Sequence, residues 1–490
     1  MLLTLTCFSG FQIINYISEN PPFGDSGIFS SISLQMLEGK ILYKDVWDHK
    51  PPMIFIINAF ALLLNGTAID SVRLIERIMA AFSAFAMFLI IYKVFASAII
   101  SFLSTFFFLL IFYHFDVFVS GNHPEEYASI FIVIGVLFII KARINKNNIS
   151  PMFTALTGLL FSLACLTKET FLFSLAPWSA YLMLGKGEKG RLRTHILAFL
   201  IGLIIPISLL SLYFIANGAF YDWIDTTSFN FYYVKLFQHN NSLIYALTNN
   251  LNVLLSKVIL KTVIGAVFFF AGLVSILDRK FVKTYYWFPL AAVSAFLMEF
   301  AATALSGRQF GHYYMQISAS FIMISSCGAA FCLYYFNRLE VSKLFLFLFA
   351  VIVIFFFDIN PVRQYIKWIS LSASAADKTA IGQYITKTSA EGDLIWVSGC
   401  VLSVVYLETK RLSAAKYVCL EDYYLIDTLF SSKEDKINTV KEQLMRNRPK
   451  IIIVDDRHIL EKINIMKWIN DEYEENSDAD KYVSVYLRND

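Results

Sequence analysis

Apolar runs close to the length of a membrane span recur along the chain, separated by short polar connections. An α-helix needs about 20 predominantly apolar residues to cross the hydrocarbon core of a bilayer. Runs of this kind lie near residues 2–17, 73–95, 97–115, 127–141, 151–166, 170–185, 195–217, 257–278, 284–305, 313–336 and 342–358. The pattern therefore predicts a membrane all-α domain of about eleven transmembrane helices over residues 1–360.

The basic residues of the connections predict how these helices are oriented. Four short connections are rich in lysine and arginine, at residues 141–148, 186–193, 278–283 and 337–343. They fall on alternate turns and so share one side of the membrane, which the positive-inside rule makes the cytoplasm. The N-terminus is then expected in the cytoplasm, and residues 18–72 form the first external loop.

Two apolar pieces have less certain roles. Residues 1–16 lack the basic start and the small-residue cleavage site of a secretory signal, so a retained first span is expected. This run is short, which leaves open a start further upstream. Residues 53–64 are too few to cross a bilayer comfortably, so they are expected to lie in the outer interface or to dip back from it. A short genuine span is the alternative.

The pattern changes after about residue 360, where charges occur throughout and short apolar runs alternate with helical patterns. Residues 393–399 and 451–454 read as buried strands, residues 481–488 alternate like a third, and residues 433–446 form an amphipathic helix pattern. These predict a small extracytoplasmic α/β domain over residues 361–490. It has no glycine-rich phosphate loop, so it is expected to be accessory, with contact to an acceptor as the alternative.

Composition supports a membrane protein and excludes nucleic acid as a partner. The chain of 490 residues is 57% hydrophobic and 16% charged, with a mean hydropathy of +0.58, whereas soluble domains carry about 25% charged residues. Its net charge of +3 is too small to indicate nucleic-acid binding. The six cysteines have no metal-site spacing, and whether Cys400 and Cys419 pair is left open.

One polar stretch near the start stands out against this background. Residues 24–52 read GDSGIFSSISLQMLEGKILYKDVWDHKPP and hold several charges close to apolar runs. A charge costs roughly 2.5–3.5 kcal/mol at the centre of a bilayer, so charges retained this close to it indicate function. The predicted topology brings four more segments to the same outer side, at residues 114–126, 166–170, 217–252 and 306–316. This convergence predicts a single extracytoplasmic site.

The residue types at this site point to transfer of a sugar from a lipid phosphate. Acids at an interface suit general-base work or a divalent cation, and lysine or arginine at membrane depth suits a phosphate. A lipid phosphate that carries a sugar presents its phosphate at that level. Asp25 is the candidate for activating an acceptor, and Lys50 with Arg308 for stabilising the departing phosphate.

The first loop also resembles that of GT-C glycosyltransferases, particularly bacterial members of the protein-mannosyltransferase and aminoarabinose-transferase group. Weaker similarities extend through VRLIER, GNHPEE and the RQFGHY segment to EGDLIWVSG, VYLETKR and RPKIIIVDD in the tail, which covers nearly the whole chain. The resemblance implies an inverting transferase that uses a polyprenyl-phosphate sugar, with the loop acid as base or metal-linked acid. A divalent cation, Mg or Mn, is the corresponding cofactor expectation.

The candidate residues fall into three groups. The catalytic candidates are Asp25, Glu126 and Asp48; those for holding the donor phosphate are Lys50, Arg308, His312 and Lys168; and those for contact with the acceptor or a metal are Asp45, His49, Glu125 and Tyr313. Asp25 matches the essential acid of the family and Lys50 its phosphate-holding lysine. Glu299, inside a predicted span, is a weaker candidate.

Each candidate also has a structural alternative. Asp25 could cap a helix, Lys50 could be an interfacial anchor, and Asp45 or Asp48 could close a turn. Glu125 and Glu126 could be helix N-terminal charges favoured by the dipole. Lys168 could form a local ion pair with Glu169.

The sequence therefore predicts a multi-pass glycosyltransferase of the plasma membrane. It would move a sugar from a polyprenyl-phosphate lipid to a lipid-linked glycan, a cell-wall polymer or a protein outside the cytoplasm. The alternatives are a transporter or flippase for lipid-linked sugars and a glycan polymerase or ligase. A transporter is expected to carry mid-membrane charges and paired halves, and neither pattern stands out here.

Overall fold

Apolar helices and a small β-sheet make up the part of the chain that the computed structural model describes. The described residues are 24–65, 69–113, 117, 121–144, 150–183, 189–238, 243–259, 263–305, 307–308, 310–336, 379–476 and 483–489. The predicted spans at 2–17 and 342–358 and the predicted domain boundary near residue 360 lie outside them.

The helices before the sheet follow one another with short connections. They are α1 (Asp25–Leu37), α2 (Pro52–Asn65), α3 (Ile69–Phe95), α4 (Ala98–Phe112), α5 (Pro124–Ile144), α6 (Pro151–Thr167), α7 (Leu172–Met183), α8 (Lys189–Ala216), α9 (Phe220–Gln238), α10 (Leu243–Val253), α11 (Val263–Ser275), α12 (Arg279–Thr284), α13 (Phe288–Ala304) and α14 (Met315–Phe336). Short 3₁₀ turns at Glu169–Phe171 and Gly311–Tyr314 lead into α7 and α14.

The apolar helices make this a membrane protein. Among the described residues, four stretches are long and apolar enough to cross a bilayer: Ser71–Phe95, Pro124–Ile144, Leu192–Ala216 and Gly311–Tyr335. Each span predicted between residues 73 and 336 coincides with a helix. Several of these helices are short, α7 having 12 residues with Pro177 inside it, so the structure does not establish the number of eleven.

Helix α5 lies inside the bundle, whereas α8 lies at its edge. Helix α5 packs against α3, α6 and α14. About 67% of the most apolar window of α5 is buried, against 17% for α8, so α8 offers its apolar side chains to lipid. Glycines allow two close helix contacts: Gly158 in α6 and Gly202 in α8 each lie against the backbone of the other helix, and Gly272 in α11 and Gly328 in α14 do the same.

Contacts at one end of the bundle gather the flanks of the basic connections. Arg143 at the end of α5 donates to the carbonyl of Tyr286 at 3.4 Å. The hydroxyl of Tyr335 donates to Asp278 Oδ2 at 2.5 Å, which links the end of α14 to the start of α12. These two contacts bring the ends of α5 and α14 to the segment around α12; that the four basic connections share one side of the membrane stays a prediction.

The C-terminal residues form a five-stranded sheet of order β2-β1-β3-β5-β4. Its strands are β1 (Leu394–Val397), β2 (Leu412–Ser413), β3 (Ile451–Val454), β4 (Tyr473–Asn476) and β5 (Ser484–Arg488), with helices α15 (Ala380–Thr388), α16 (Val405–Thr409), α17 (Lys433–Asn447), α18 (Arg457–Lys462) and α19 (Met466–Glu472). Strand β1 is parallel to β2 and β3, and β5 is antiparallel to β3 and β4. Strands β1, β3 and β5 and helix α17 are the elements that the sequence predicts.

The sheet is joined to α1 and to the chain that follows it. Ser31 in α1 donates to the carbonyl of Ser403 at 2.7 Å, and Gln35 accepts from the backbone of Ser413. One buried hydrophobic cluster continues from α1 and α2 into the strands. A disulfide bond joins Cys400 to Cys419, with the two Cα atoms 5.0 Å apart. The pairing that the sequence leaves open is therefore present.

Candidate active site

Asp25 enters the site through a turn at the start of α1. Gly24 precedes the helix with φ of 60°, a conformation that glycine adopts without steric cost, and it occupies the N-cap position. Asp25 is thus the first helical residue and not the cap, which leaves its carboxylate available. The positive end of the helix dipole favours an acid at this place.

Two histidines from distant segments meet Asp25. His123 precedes α5, and His312 lies in the 3₁₀ turn before α14. Their rings stack at a centroid distance of 4.3 Å. One ligand atom from each of Asp25, His123 and His312 can be chosen so that all three lie within 4.8 Å of one another.

Positive charge keeps Asp25 in its ionised form. Burial acts to raise the pKa of Asp25, but the ammonium of Lys50 is the largest opposing influence, and the pKa of Asp25 lies below the ordinary value. Burial and the nearby Lys168 lower the pKa of Lys50, yet Asp25, Tyr313 and Asp48 raise it overall. Asp25 and Lys50 therefore stabilise each other's charged forms.

Lys168 supplies a second ammonium group. Its Nζ lies 3.0 Å from Glu125 Oε1 and 5.0 Å from the ring centroid of Tyr313. The ion-pair partner is therefore Glu125 from α5, rather than the sequence neighbour Glu169 of the alternative. The pKa of Lys168 is raised: burial acts against this, but the charge of Glu125 exceeds it.

The turn at residues 48–50 fixes Lys50 from both sides. Asp48 Oδ1 accepts from the backbone N–H of Lys50 at 2.9 Å, and Asp48 Oδ2 accepts from the hydroxyl of Tyr424 at 3.0 Å. His49 Nε2 lies 2.8 Å from Lys50 Nζ. Burial, and then the charge of Lys50, lower the pKa of His49 well below its usual value, so the ring is neutral and can accept from the ammonium group.

Three candidates make other contacts. Asp45 is exposed and accepts from the backbone of Ile41 at 2.9 Å, which closes a local turn. The guanidinium of Arg308 lies 5.6 Å from the ring centroid of Phe310, and that ring stacks on His312. Glu126 points elsewhere because consecutive helical residues face directions about 100° apart, and Glu125 is the one that faces Lys168.

Glu126 belongs instead to a polar network buried beneath the site. The hydroxyl of Tyr113 donates to Glu126 Oε1 at 3.4 Å. Arg73 pairs with Glu76 at 2.8 Å in α3, and Glu76 accepts from the backbone N–H of Asn122. The structure thus separates the two adjacent glutamates into different surroundings.

The sequence interpretation missed several residues at the site. His123 stands within the GNHPEE motif, and its place beside Glu125 was the available signal. Asn230 of α9 donates to the carbonyl of His49 at 3.0 Å and also bonds Glu169. Tyr423 and Tyr424 come from the segment after β2, and both rings contact that of His49. No sequence pattern singles out these last two.

The weaker candidate Glu299 is buried in α13, where Glu299 Oε2 accepts from Ser320 at 2.5 Å. This contact joins α13 to α14.

The cluster can accept a proton and hold negatively charged oxygen atoms. Asp25 is an ionised carboxylate at a partly open position; the ammonium of Lys50 acts on it directly, and the ammonium of Lys168 lies near Lys50. Imidazole nitrogens with one carboxylate suit zinc and similar transition metals, whereas magnesium prefers oxygen ligands alone. The donor atoms of Asp25, His123 and His312 therefore fit a zinc-like cation better than the expected Mg or Mn, which favour oxygen ligands.

Comparisons with known proteins agree with this architecture. Residues 49–214, about a third of the chain, match the family described as dolichyl-phosphate-mannose-protein mannosyltransferase. No curated protein matches the sequence. The crystal structure of ArnT from Cupriavidus metallidurans in the apo state is similar, with a TM-score of 0.62 and 11% identity over 99% of this chain and 97% of ArnT.

Two archaeal structures are similar at lower scores. The oligosaccharyltransferase AglB from Archaeoglobus fulgidus, in complex with an inhibitory peptide and a dolichol-phosphate, has a TM-score of 0.53 and 12% identity over 99% of this chain and 74% of AglB. An Archaeoglobus fulgidus oligosaccharyltransferase in complex with Zn and sulfate has a TM-score of 0.51 and 12% identity, over 93% of this chain and 68% of that protein. The resemblance to GT-C glycosyltransferases is therefore confirmed at the level of the fold.

Proposed function

We propose that this protein is a membrane glycosyltransferase that moves a sugar from a polyprenyl-phosphate donor to an acceptor outside the cytoplasm, with inversion at the anomeric carbon. The main support is the joining of Asp25, Lys50, Lys168 and the His123–His312 pair in one partly open cluster at the ends of the apolar helices. The mannosyltransferase match and the dolichol-phosphate in the AglB structure add support for a lipid-phosphate donor.

Asp25 acts as the base in this proposal. One of its carboxylate oxygens takes the proton of an acceptor hydroxyl while the oxygen of that hydroxyl bonds to the anomeric carbon. The bond between the anomeric carbon and the phosphate oxygen breaks, and its electron pair leaves with the polyprenyl phosphate. The low pKa of Asp25 limits its strength as a base, so positioning of the acceptor supplies much of the rate.

Lys50 and Lys168 hold the departing phosphate. Each carries a full positive charge, and both lie near Asp25 or its neighbour Glu125. The negative charge on the phosphate grows as its bond to the sugar breaks, so ammonium groups fixed beforehand bind the transition state more tightly than the donor. Arg308, whose guanidinium lies 5.6 Å from the ring centroid of Phe310 beside His312, is a further candidate for contact with the phosphate.

A divalent cation fits the remaining groups. Asp25, His123 and His312 would hold it, and when bound it would supply positive charge to the reacting oxygens. Glu125 and Tyr313 contact Lys168 and so act on the donor phosphate through it. His49 acts on that phosphate through Lys50. Asp48 has both oxygens engaged by Lys50 and Tyr424, which favours an orienting role over a catalytic one.

The proposed site lies on the extracytoplasmic face of the plasma membrane. The Cys400–Cys419 disulfide is typical of an oxidising compartment, and the segment that it closes packs on Trp47, next to Asp48 in the chain. His312 lies at the start of α14, and Lys168 lies at the end of α6. The contacts near the basic connections lie at the other ends of the helices, as at the end of α5 and the end of α14. Candidate acceptors are a lipid-linked glycan, a cell-wall polymer or a protein.

Purified protein in proteoliposomes tests the proposal when supplied with polyprenyl-phosphate sugars labelled in the sugar. We expect transfer of label to an acceptor in a membrane extract, with stoichiometric release of unglycosylated polyprenyl phosphate. An intact donor that instead moves between the two leaflets would identify a transporter and contradict the enzyme. A panel of sugars on one lipid then defines the donor.

A further inference from the structure

Tyr424 reaches the site from the sheet-forming part of the chain. It ends the 3₁₀ turn Asp422–Tyr424, which follows β2, and its side chain is 3% exposed. Its hydroxyl donates to Asp48 Oδ2 at 3.0 Å, across 376 positions of sequence. A buried carboxylate needs such partners, since an unpaired one is costly.

Asp48 passes this contact on to the residues that follow it. Its other oxygen, Oδ1, accepts from the backbone N–H of Lys50 at 2.9 Å and lies 3.6 Å from Nδ1 of His49. The neutral His49 ring makes no hydrogen bond to Asp48 at that distance, and its Nε2 accepts from Lys50 Nζ at 2.8 Å. Asp48 therefore acts on Lys50 through the backbone of the turn that carries both residues. The position of the ammonium group therefore depends on the orientation of the carboxylate.

Tyr424 is itself held in place by contacts that do not involve Lys50. Its ring meets the ring of Trp47 edge-on at 5.2 Å, and Trp47 also packs on Tyr417 at 4.9 Å. The backbone N–H of Trp47 donates to the carbonyl of Lys416 at 2.9 Å. The Cys400–Cys419 disulfide closes the segment just before the turn.

From this geometry we infer that Tyr424 is a positioning residue for Lys50, acting through Asp48. The sheet-forming part of the chain thereby completes the site that binds the donor phosphate, instead of serving only as an attachment. The inference rests on the proposed function, in which Lys50 holds that phosphate.

A hydroxyl deletion tests it, with a matched control from the same region. Tyr424→Phe removes the bond to Asp48. Tyr406→Phe removes a buried hydroxyl that donates to the carbonyl of Val418 at 2.7 Å and accepts from the backbone of Val397, without touching Asp48. Both variants lose buried hydrogen bonds of the C-terminal region, so a general loosening of that region affects them alike.

Two measurements are made on full-length protein in nanodiscs. The first is kinetic: we expect Tyr424→Phe to raise the KM for the lipid donor and the Kd for polyprenyl monophosphate about tenfold, with the KM for the acceptor unchanged. The second is the rate at which an amine-reactive ester acylates Lys50, followed by mass spectrometry. We expect that rate to change at least threefold in Tyr424→Phe and to stay at the wild-type value in Tyr406→Phe.

The two readouts separate the inference from the function it rests on. Equal acylation rates of Lys50 in wild type and Tyr424→Phe, or equal changes in both variants, would overturn the positioning role whatever the enzyme does. A Lys50→Met variant that binds polyprenyl monophosphate as well as wild type does would refute the proposed role of Lys50. The acylation result would still decide whether Tyr424 orients that side chain.

Discussion

At the scale of single residues, the cluster keeps its charges by surrounding each one with groups of opposite sign. Lys50 faces Asp25 and Asp48, and Lys168 faces Glu125 at 3.0 Å. A buried charge without such a partner is costly, so removing one member of a pair destabilises the protein through the charge that remains. This dependence allows the structural and the functional roles of a lysine to be told apart.

Lys168 provides the first prediction. Lys168→Met should lower stability by about 3–5 kcal/mol, because it leaves the buried Glu125 carboxylate without its cation. It should also raise the donor KM by roughly 10–100-fold, the loss of one charge-assisted hydrogen bond to phosphate. Thermal unfolding and donor kinetics in nanodiscs give the two values.

The double variant Lys168→Met with Glu125→Gln serves as the control. Removing both charges should restore most of the stability, since no unpaired ion is left. The donor KM should stay high. A return of that KM to the wild-type value would make Lys168 a purely structural partner of Glu125.

The presence of a metal can be tested by measuring the metal content of the purified protein rather than its activity. Purified protein should contain about one equivalent of zinc, the cation that the two imidazoles and one carboxylate favour. His312→Ala should lose that metal, measured by elemental mass spectrometry, because it removes one of three donors. His458→Ala, at an exposed position in α18, should retain it. Equal metal content in the two variants would exclude this cluster as the site.

The sequence could predict the charged residues of the cluster but not all of their roles. Asp25, Lys50 and Lys168 stand out because ionisable side chains beside long apolar runs are costly and therefore rare. Tyr424 could not be found in this way, being one of 26 tyrosines and close to the site only after folding. Glu125 and Glu126 look equivalent in the sequence, and only the direction of each side chain from α5 separates them.

At the scale of elements, one buried amide pair joins three helices below the cluster. The side chains of Asn58 and Asn122 bond each other at 2.8 and 2.9 Å, Ser30 donates to Asn58 at 3.0 Å, and Tyr127 donates to Asn122 at 3.0 Å. This network ties α1 and α2 to the start of α5. It therefore fixes Asp25 relative to His123.

Asn122 supports a prediction about this junction. Asn122→Ala should cost about 1–3 kcal/mol beyond any backbone effect, because it leaves buried polar groups without partners. Asn464→Ala is the control: Asn464 also has a positive φ, 52° against 56° for Asn122, but is exposed. Thermal unfolding of both should show a clearly larger shift for Asn122→Ala, and equal shifts would assign the effect to backbone strain.

The predicted elements differ in how well the pattern identified them. Strand β3, with four consecutive apolar residues, was placed at its observed bounds because such a run is typical of a buried parallel strand. Strand β4 reads Tyr-Glu-Glu-Asn and lies at the sheet edge, where alternation and burial are weak. Strand β2 has only two residues, which is too short for any periodicity.

At the scale of the whole molecule, the account depends on which face of the membrane the cluster occupies. Glu461 in α18 and Lys280 in α12 are both exposed, so a cysteine introduced at either position can be labelled. The predicted topology puts the two positions on opposite sides of the membrane. In a background without Cys7, Cys165, Cys327 and Cys332, an impermeant maleimide added to intact cells should label Glu461→Cys only. Labelling of Lys280→Cys without cell lysis would reverse the predicted orientation.

The fold could be predicted at this scale because the length of an apolar run is set by the thickness of the bilayer. Predicted spans such as 195–217 coincide with long apolar helices, whereas the shorter helices leave the number of crossings undetermined. The joining of α1 to the sheet could not be predicted. It depends on contacts such as Ser31 with Ser403 between residues far apart in sequence.

The most direct test of the central claim is to measure donor binding and transfer separately in an Asp25→Asn variant. The substitution keeps the size of the side chain and leaves Asp48 as a counter-charge for Lys50, but it removes the proton acceptor and one donor to the proposed cation. The variant should fold and should bind polyprenyl monophosphate within about threefold of wild type, since Lys50 and Lys168 are both retained. Transfer from the labelled donor should fall by at least about 10³-fold. Transfer at the wild-type rate by this variant would contradict the assignment of Asp25, and with it the proposed reaction at this site.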